Sequence, residues 1–266
     1  MRLFDSHCHV QDERLLEHAP AVLSRARQTG VERLLCCGCE EKDWPDVAAL
    51  AHAGEMIVPA FGLHPWYVPD RTAAWRDAVE SFLKSHPGAG VGEIGLDHAL
   101  KQRNDDEQGD VFLSQLRLAR DMGRPVSIHC RQAWGQLLAY EAELRALPRG
   151  FVIHSYSGGK DLIPPLARAG ACFSFSGTVT WSRNVKAHAS CREVPAERLL
   201  IETDAPDLMP TIPGQEPPAG EAREKPANEP ANLLYVLRKV AELRGEPDEA
   251  IAALTWENAV RLFCGG

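Results

Sequence analysis

Apolar and polar positions along the 266-residue chain fall into two alternating patterns. Short, mostly continuous apolar runs recur at Leu3–Ser6, Arg33–Cys37, Met56–Phe61, Gly90–Ile94, Pro125–Ile128, Phe151–Ile153, Ala171–Phe175 and Leu199–Glu202. Runs of this kind fit strands buried on both faces, as in a parallel sheet. Between them the apolar residues keep helical spacing. Gln108–Met122 carries Val111, Leu113, Leu116, Leu118, Ala119 and Met122 on one face, at a period near 3.6 residues. Arg14–Gln28, Trp44–Ala53, Thr72–Ser85, Ala133–Leu147, Asp161–Ala169 and Asn184–Arg192 read the same way, and helices near Ala231–Arg244 and Asp248–Phe263 close the chain. Gly30, Gly123, Gly150 and Gly170 stand where helices stop and the chain turns toward the next strand.

Eight strands, with a helix after nearly every one, predict a single-domain α/β chain: a (β/α)8 TIM barrel over residues 1–266, a fold for which about 250 residues is typical. A doubly wound open sheet is the alternative, usually with fewer strands. No linker, repeat or low-complexity tract divides the chain. The one irregular stretch, Ala205–Pro230, holds seven prolines and has a length usually reserved for functional or disordered loops.

Composition narrows the class. With 44% hydrophobic and 25% charged residues, disordered and fibrous classes are excluded. No apolar run approaches the roughly 20 residues of a membrane helix. The start, MRLFDSHCHV, is not a secretory signal, so the expected compartment is the cytoplasm, with no membrane association and no obligate protein partner. Lys and Arg number 29 against 37 Asp and Glu, a net charge of −8. That excludes a generic nucleic-acid coat but not an enzyme that grips a few phosphates in one cleft. The eight cysteines show no paired zinc-finger spacing and are expected to be reduced, mostly core thiols.

The chemistry collects at predicted strand ends. His7 and His9 follow the first strand, two residues apart, and share a face. His64 follows the third, Glu93 lies in the fourth, His129 and His154 end the fifth and sixth, and Asp204 follows the eighth. In a barrel all these ends meet at one rim, where active sites sit. Four imidazoles with two carboxylates suit two divalent ions, one carboxylate bridging them. This mix favours Zn, Mn or Fe over an all-oxygen Mg or Ca site and leaves the ion open among Zn, Mn, Mg and Fe.

Asp5-Ser6-His7-Cys8-His9, Gly62-Leu63-His64-Pro65 and Gly92-Glu93-Ile94-Gly95-Leu96-Asp97 resemble the TatD family of metal-dependent deoxyribonucleases. So do Gln115-Leu116 with Leu118-Ala119, Pro125-Val126 with Ile128-His129-Cys130-Arg131, Glu202-Thr203-Asp204-Ala205-Pro206, and Asn258-Ala259 with Phe263. The resemblance runs nearly the whole chain in order. It implies that His7, His9 and Glu93 bind one metal, that Glu93 bridges to a second held by His129 and His154, and that Asp204 sits by the first metal and the attacking water. His64 matches a pocket position. The family usually reads His-x-Phe-Ser-Gly after strand six, whereas this chain reads His154-Ser155-Tyr156-Ser157-Gly158, and His98 replaces an aromatic after Leu96-Asp97. The stretch from Phe175 to Thr180 is similar to a less-studied bacterial branch, which leaves the substrate open.

The function expected is therefore metal-dependent hydrolysis, as a 3′→5′ deoxyribonuclease on single-stranded DNA or 3′ ends. Asp204 and Glu93 are the catalytic carboxylates. Arg131 is a candidate phosphate contact, and Tyr156, Trp66 and Trp134 are candidates for base stacking or simple rim packing. Lys160, Arg183, Lys186, Arg223 and Lys225 form a possible basic collar, and the Ala205–Pro230 loop is expected to help choose the substrate. Hydrolysis of another ester or amide, such as an aminoacyl ester on tRNA or a small metabolite, and a non-catalytic metal scaffold are the alternatives.

Overall fold

The computed structural model describes residues 1–214 and 226–265. Arg223 and Lys225 lie outside the described residues. Eight parallel strands follow in spatial order along the chain: β1 (Leu3–Cys8), β2 (Val31–Cys37), β3 (Ile57–Phe61), β4 (Gly90–Asp97), β5 (Val126–Arg131), β6 (Phe151–Ile153), β7 (Ala171–Phe175) and β8 (Leu199–Ile201). The chain after β8 returns to β1: Asp204 N–H donates to the His7 carbonyl at 3.0 Å, and His9 N–H to the Ala205 carbonyl at 2.7 Å. The result is a nearly closed barrel with helices outside, as the strand count predicts.

Boundaries differ where local chemistry intervenes. The Arg14–Gln28 segment is two helices, Glu13–Leu16 and Ala19–Gln28, because Pro20 begins a new helix more readily than it continues an old one. Ala133–Leu147 is likewise split at Tyr140, and the last helix passes into a π-type turn over Val260–Cys264. Gly30, Gly123, Gly150 and Gly170 all have positive φ, between 63° and 106°.

Two cores flank the strands. The barrel interior packs Phe4, Leu35, Val58, Val152, Cys172 and Leu200. It is plugged at the N-terminal end of the strands by Phe263, whose ring stacks on Phe4 at 5.8 Å. The larger core, between strands and helices, takes the alternate residues, among them Leu3, Cys8, Val91, Ile94 and Leu96.

These memberships expose two breaks in alternation. Along β1, Leu3 faces outward and Phe4 inward, yet Cys8 faces outward again. The β1–β2 register slips by one residue between Asp5 and Cys8. Along β4 the same slip falls between Val91 and Ile94, which both face outward. A bulge of one residue reverses the facing of everything after it. The β1 bulge turns His7 and His9 into the barrel, and the β4 bulge does so for Glu93.

Candidate metal centre

Glu93 is the hub. Its Oε2 lies 3.2 Å from His7 Nε2 and 3.4 Å from His9 Nε2. Its Oε1 lies 2.8 Å from His154 Nε2, 3.1 Å from His129 Nδ1 and 3.4 Å from His64 Nε2. Asp204 Oδ1 completes the first group, 3.5 Å from His9 Nε2 and 3.8 Å from His7 Nε2. Each oxygen of one buried carboxylate therefore faces its own set of imidazoles. Ligand atoms about 2.1 Å from a tetrahedral ion stand about 3.4 Å apart, the spacing seen here.

Hydrogen bonds decide which nitrogens carry lone pairs inward. His9 Nδ1 is 2.8 Å from the Cys37 carbonyl, which only accepts, so Nδ1 holds the proton and Nε2 is free. His129 Nε2 donates to Asp97 Oδ2 at 3.1 Å, leaving Nδ1 toward Glu93. His7 Nδ1 meets Ser127 Oγ at 2.9 Å. His64 differs: its Nδ1 accepts from Trp66 N–H at 3.1 Å. Burial pushes this imidazole down to about 4 against the pull of Glu93. A neutral ring that accepts at Nδ1 carries its proton on Nε2, so His64 presents a donor to the pocket and not a ligand.

The electrostatics call for cations. Burial opposes ionisation of Glu93, but His154, His64, His7 and His129 outweigh it and hold its carboxyl well below the usual range. Burial holds His7 down, at about 4. Burial also works against charge on His9, His129 and His154, yet His9 is raised by Cys39, Asp204 and Glu93, His129 by Asp97 and Glu93, and His154 by Glu93 and Glu202. Buried carboxylates that draw positive charge onto neighbouring imidazoles, with lone pairs converging, fit divalent ions. The His7–His9–Asp204 and His7–Glu93–His154 groups each bring ligand atoms within 4.8 Å of one another.

The backbone holds this arrangement rigidly. β4 and β5 run so close at Gly95 that a Cβ there would lie 2.0 Å from the His129 carbonyl oxygen. Gln132, Ser155 and Asp204, just past β5, β6 and β8, have positive φ of 56°, 40° and 56°. Such strain, carried by non-glycine residues, gathers at functional rims. Asp5 anchors the last strand end, accepting from Thr203 N–H at 2.9 Å and Thr203 Oγ1–H at 2.5 Å.

Of the residues singled out in the sequence, His7, His9, His64, Glu93, His129, His154 and Asp204 converge. Arg131 stands on the same rim, exposed and outside the cluster. Tyr156 does not line the pocket. It is 2% exposed, its hydroxyl donates to the Gly159 carbonyl at 2.8 Å, and its ring meets Phe173 at 5.0 Å. The β7 side chains against the ring, Phe173 and Phe175, are apolar, so the ring is core. Trp66 is the aromatic at the rim, 49% exposed, its indole N–H donating to Asp97 Oδ2 at 2.7 Å. Three residues escaped the sequence reading. Asp97, present in the Gly-Glu-Ile-Gly-Leu-Asp motif, aligns His129. Glu202 lies 3.5 Å from His154 Nδ1. Cys39 places Sγ 3.8 Å from Glu93 Oε2 and 3.6 Å from His9 Nδ1. Only Asp97 and Glu202 had a signal, their place in acidic strand-end motifs. All eight cysteines are free.

Comparison with known proteins follows the same lines. The family model described as TatD related DNase matches residues 4–264. An uncharacterized metal-dependent hydrolase, YabD of Bacillus subtilis, is 31% identical over 261 residues, covering 98% of both chains. A 3′-5′ ssDNA/RNA exonuclease TatD of Pectobacterium carotovorum is 30% identical over 271 residues, covering 98% of this chain and 99% of that one. The crystal structure of YjjV, a TatD homologue from Escherichia coli, superposes with a TM-score of 0.89 at 29% identity, over 99% of this chain and 98% of that one.

Proposed function

The chain belongs to the TatD related DNase family and is a metal-dependent hydrolase, and on that premise we propose that it removes nucleotides from the 3′ end of single-stranded DNA, using two divalent cations. The observation that carries this reading is Glu93, whose two oxygens face two separate imidazole sets. One cation fits His7, His9, Asp204 and Glu93, the other His129, His154 and Glu93. When bound, such ions acidify water and neutralise phosphate oxygens.

The chain's own groups supply the rest. Asp204, its side chain partly open to the pocket, takes the proton of the attacking water as the water oxygen bonds to phosphorus. It returns that proton to the 3′ oxygen as the P–O bond breaks. His64 donates from Nε2 to a non-bridging oxygen, where negative charge grows. The exposed Arg131 guanidinium suits the next phosphate, and Trp66 offers a face for an unpaired base, a contact worth roughly 1–3 kcal/mol.

The test is turnover by metal-reconstituted protein on end-labelled single-stranded DNA, a small chromogenic phosphodiester and a panel of carboxylic esters and amides. Progressive shortening from the 3′ end is expected. Cleavage of esters or amides with none of either phosphodiester would replace the nuclease reading with the ester or amide one.

A further inference from the structure

Five arginines gather at the opposite end of the barrel. Arg145, Arg149, Arg168, Arg198 and Arg261 line a cavity of about 590 Å³. Its floor is the N-terminal side of the strands: Gly150 precedes β6, Gly170 precedes β7, and Arg198 precedes β8. The metal centre stands at the other ends of these same strands, so the two sites are separated by the length of the barrel.

The charges here are largely uncompensated. Arg145 is tied to Glu141 at 2.6 Å, but the other four form no ion pair among the described residues. Arg198 spends one N–H on the Gly170 carbonyl at 3.2 Å, and Arg149 one on the Leu262 carbonyl at 3.1 Å. Arg261 donates to Asn258 Oδ1 at 2.7 Å and to the Glu197 carbonyl. Burial raises the Cys172 thiol, with Glu197 adding to it, while Arg198 and Arg261 oppose that rise; both guanidiniums thus act on the cavity floor. A guanidinium has five N–H donors, so each keeps most of its fork for a ligand. Five like charges with a single ion-paired carboxylate, Glu141, are a cost in a chain of net charge −8, where acidic partners abound.

We propose that this cavity binds a compact polyphosphate, such as the phosphate chain of a nucleotide, at a site distinct from the metal centre. Guanidinium forks match phosphate oxygens bidentately. The volume is that of a small-molecule site, and the arginines surround one hollow instead of marking a track, which favours a compact anion over a polynucleotide.

The probe is inorganic tripolyphosphate, titrated calorimetrically into the metal-loaded protein, with a 12-residue single-stranded oligonucleotide as a parallel arm. Two binding events are expected, one at the metal centre and one here. His129→Ala, which removes a candidate ligand of one of the two cations, should weaken the first and leave the second unchanged. Arg168→Glu should weaken the second at least about tenfold, as loss of one charge-assisted contact does, while hydrolysis of a small phosphodiester stays at the wild-type rate. Arg168 is exposed and its side chain makes no hydrogen bond among the described residues, so this variant should fold; Arg198→Gln, which keeps a donor for Gly170, should also weaken the second event. A single event weakened by His129→Ala and untouched by the arginine variants, or a second event unchanged in both arginine variants, overturns the proposal. So does arginine-dependent binding of the oligonucleotide without binding of tripolyphosphate.

Discussion

Individual side chains at the rim carry separable duties. Asp204 is the pocket-side carboxylate, and Asp204→Asn keeps an oxygen near His9 but removes a base. Turnover should fall by about 10²–10⁴-fold, with metal content measured by emission spectrometry largely retained; a loss below tenfold would overturn the proposal that Asp204 is the proton acceptor. Asp97 acts one step removed. It accepts a hydrogen bond from His129 Nε2–H and so aims Nδ1 at Glu93. Asp97→Asn can donate as readily as accept, which frees the ring to take the wrong tautomer. The expected result is metal affinity about 10–100-fold weaker, seen by competition with a chromogenic chelator, and unchanged affinity would mean that packing alone orients His129.

At the scale of elements, the bulges in β1 and β4 decide where the ligands face, and the approach of β4 to β5 decides how far apart they stand. Gly95 makes that approach possible, since any Cβ would strike the His129 carbonyl. Gly95→Ala should force the strands apart, at a cost of about 1–3 kcal/mol or more, and displace His129 from Glu93. A lowered thermal midpoint together with reduced metal stoichiometry is the expected signature. A variant that melts and loads like wild type would show that the strands have slack. The connection after β8 is held as firmly where it is described: Asn228 Nδ2 donates to the Thr203 and Asp207 carbonyls at 3.0 and 2.8 Å, and Arg25 pairs with Glu229 at 2.7 Å. Both ends are therefore pinned beside Asp204.

For the molecule as a whole, cations held as proposed would link β1, β4, β5, β6 and the chain after β8, so occupancy should stabilise the entire barrel. Saturation at a hundredfold excess over Kd contributes about 2.7 kcal/mol per site, and for a chain of this length that raises the melting midpoint by about 5–10 °C. Calorimetry before and after chelation, with restoration by added metal, measures it. A midpoint indifferent to chelator would mean that the ligand cluster is held by packing and hydrogen bonds alone. No helix in the described residues is long and apolar enough to cross a membrane.

Much of this protein was legible before folding. Short continuous apolar runs fit strands buried on both sides, and eight of them spaced by helices favour a barrel over an open sheet. β6 and β7 begin and end where the runs do. The convergence of the candidate ligands was legible for the same reason: imidazoles and carboxylates at the ends of apolar strands have no packing role there, and parallel strands bring their ends to one rim. Facing was another matter. Strict alternation from Leu3 would send His7 and His9 outward, and from Val91 would send Glu93 outward; the bulges that correct this are set by strand pairing, which no local pattern encodes. Tyr156 shows the converse, an aromatic after a ligand strand whose burial depends on Phe173 and Trp134, distant in sequence. Cys39, the donor role of His64 and the arginine cavity likewise exist only through residues that the closed barrel brings together. Periodicity records which face of an element is apolar; which groups meet across that face is decided by the register and closure of the sheet.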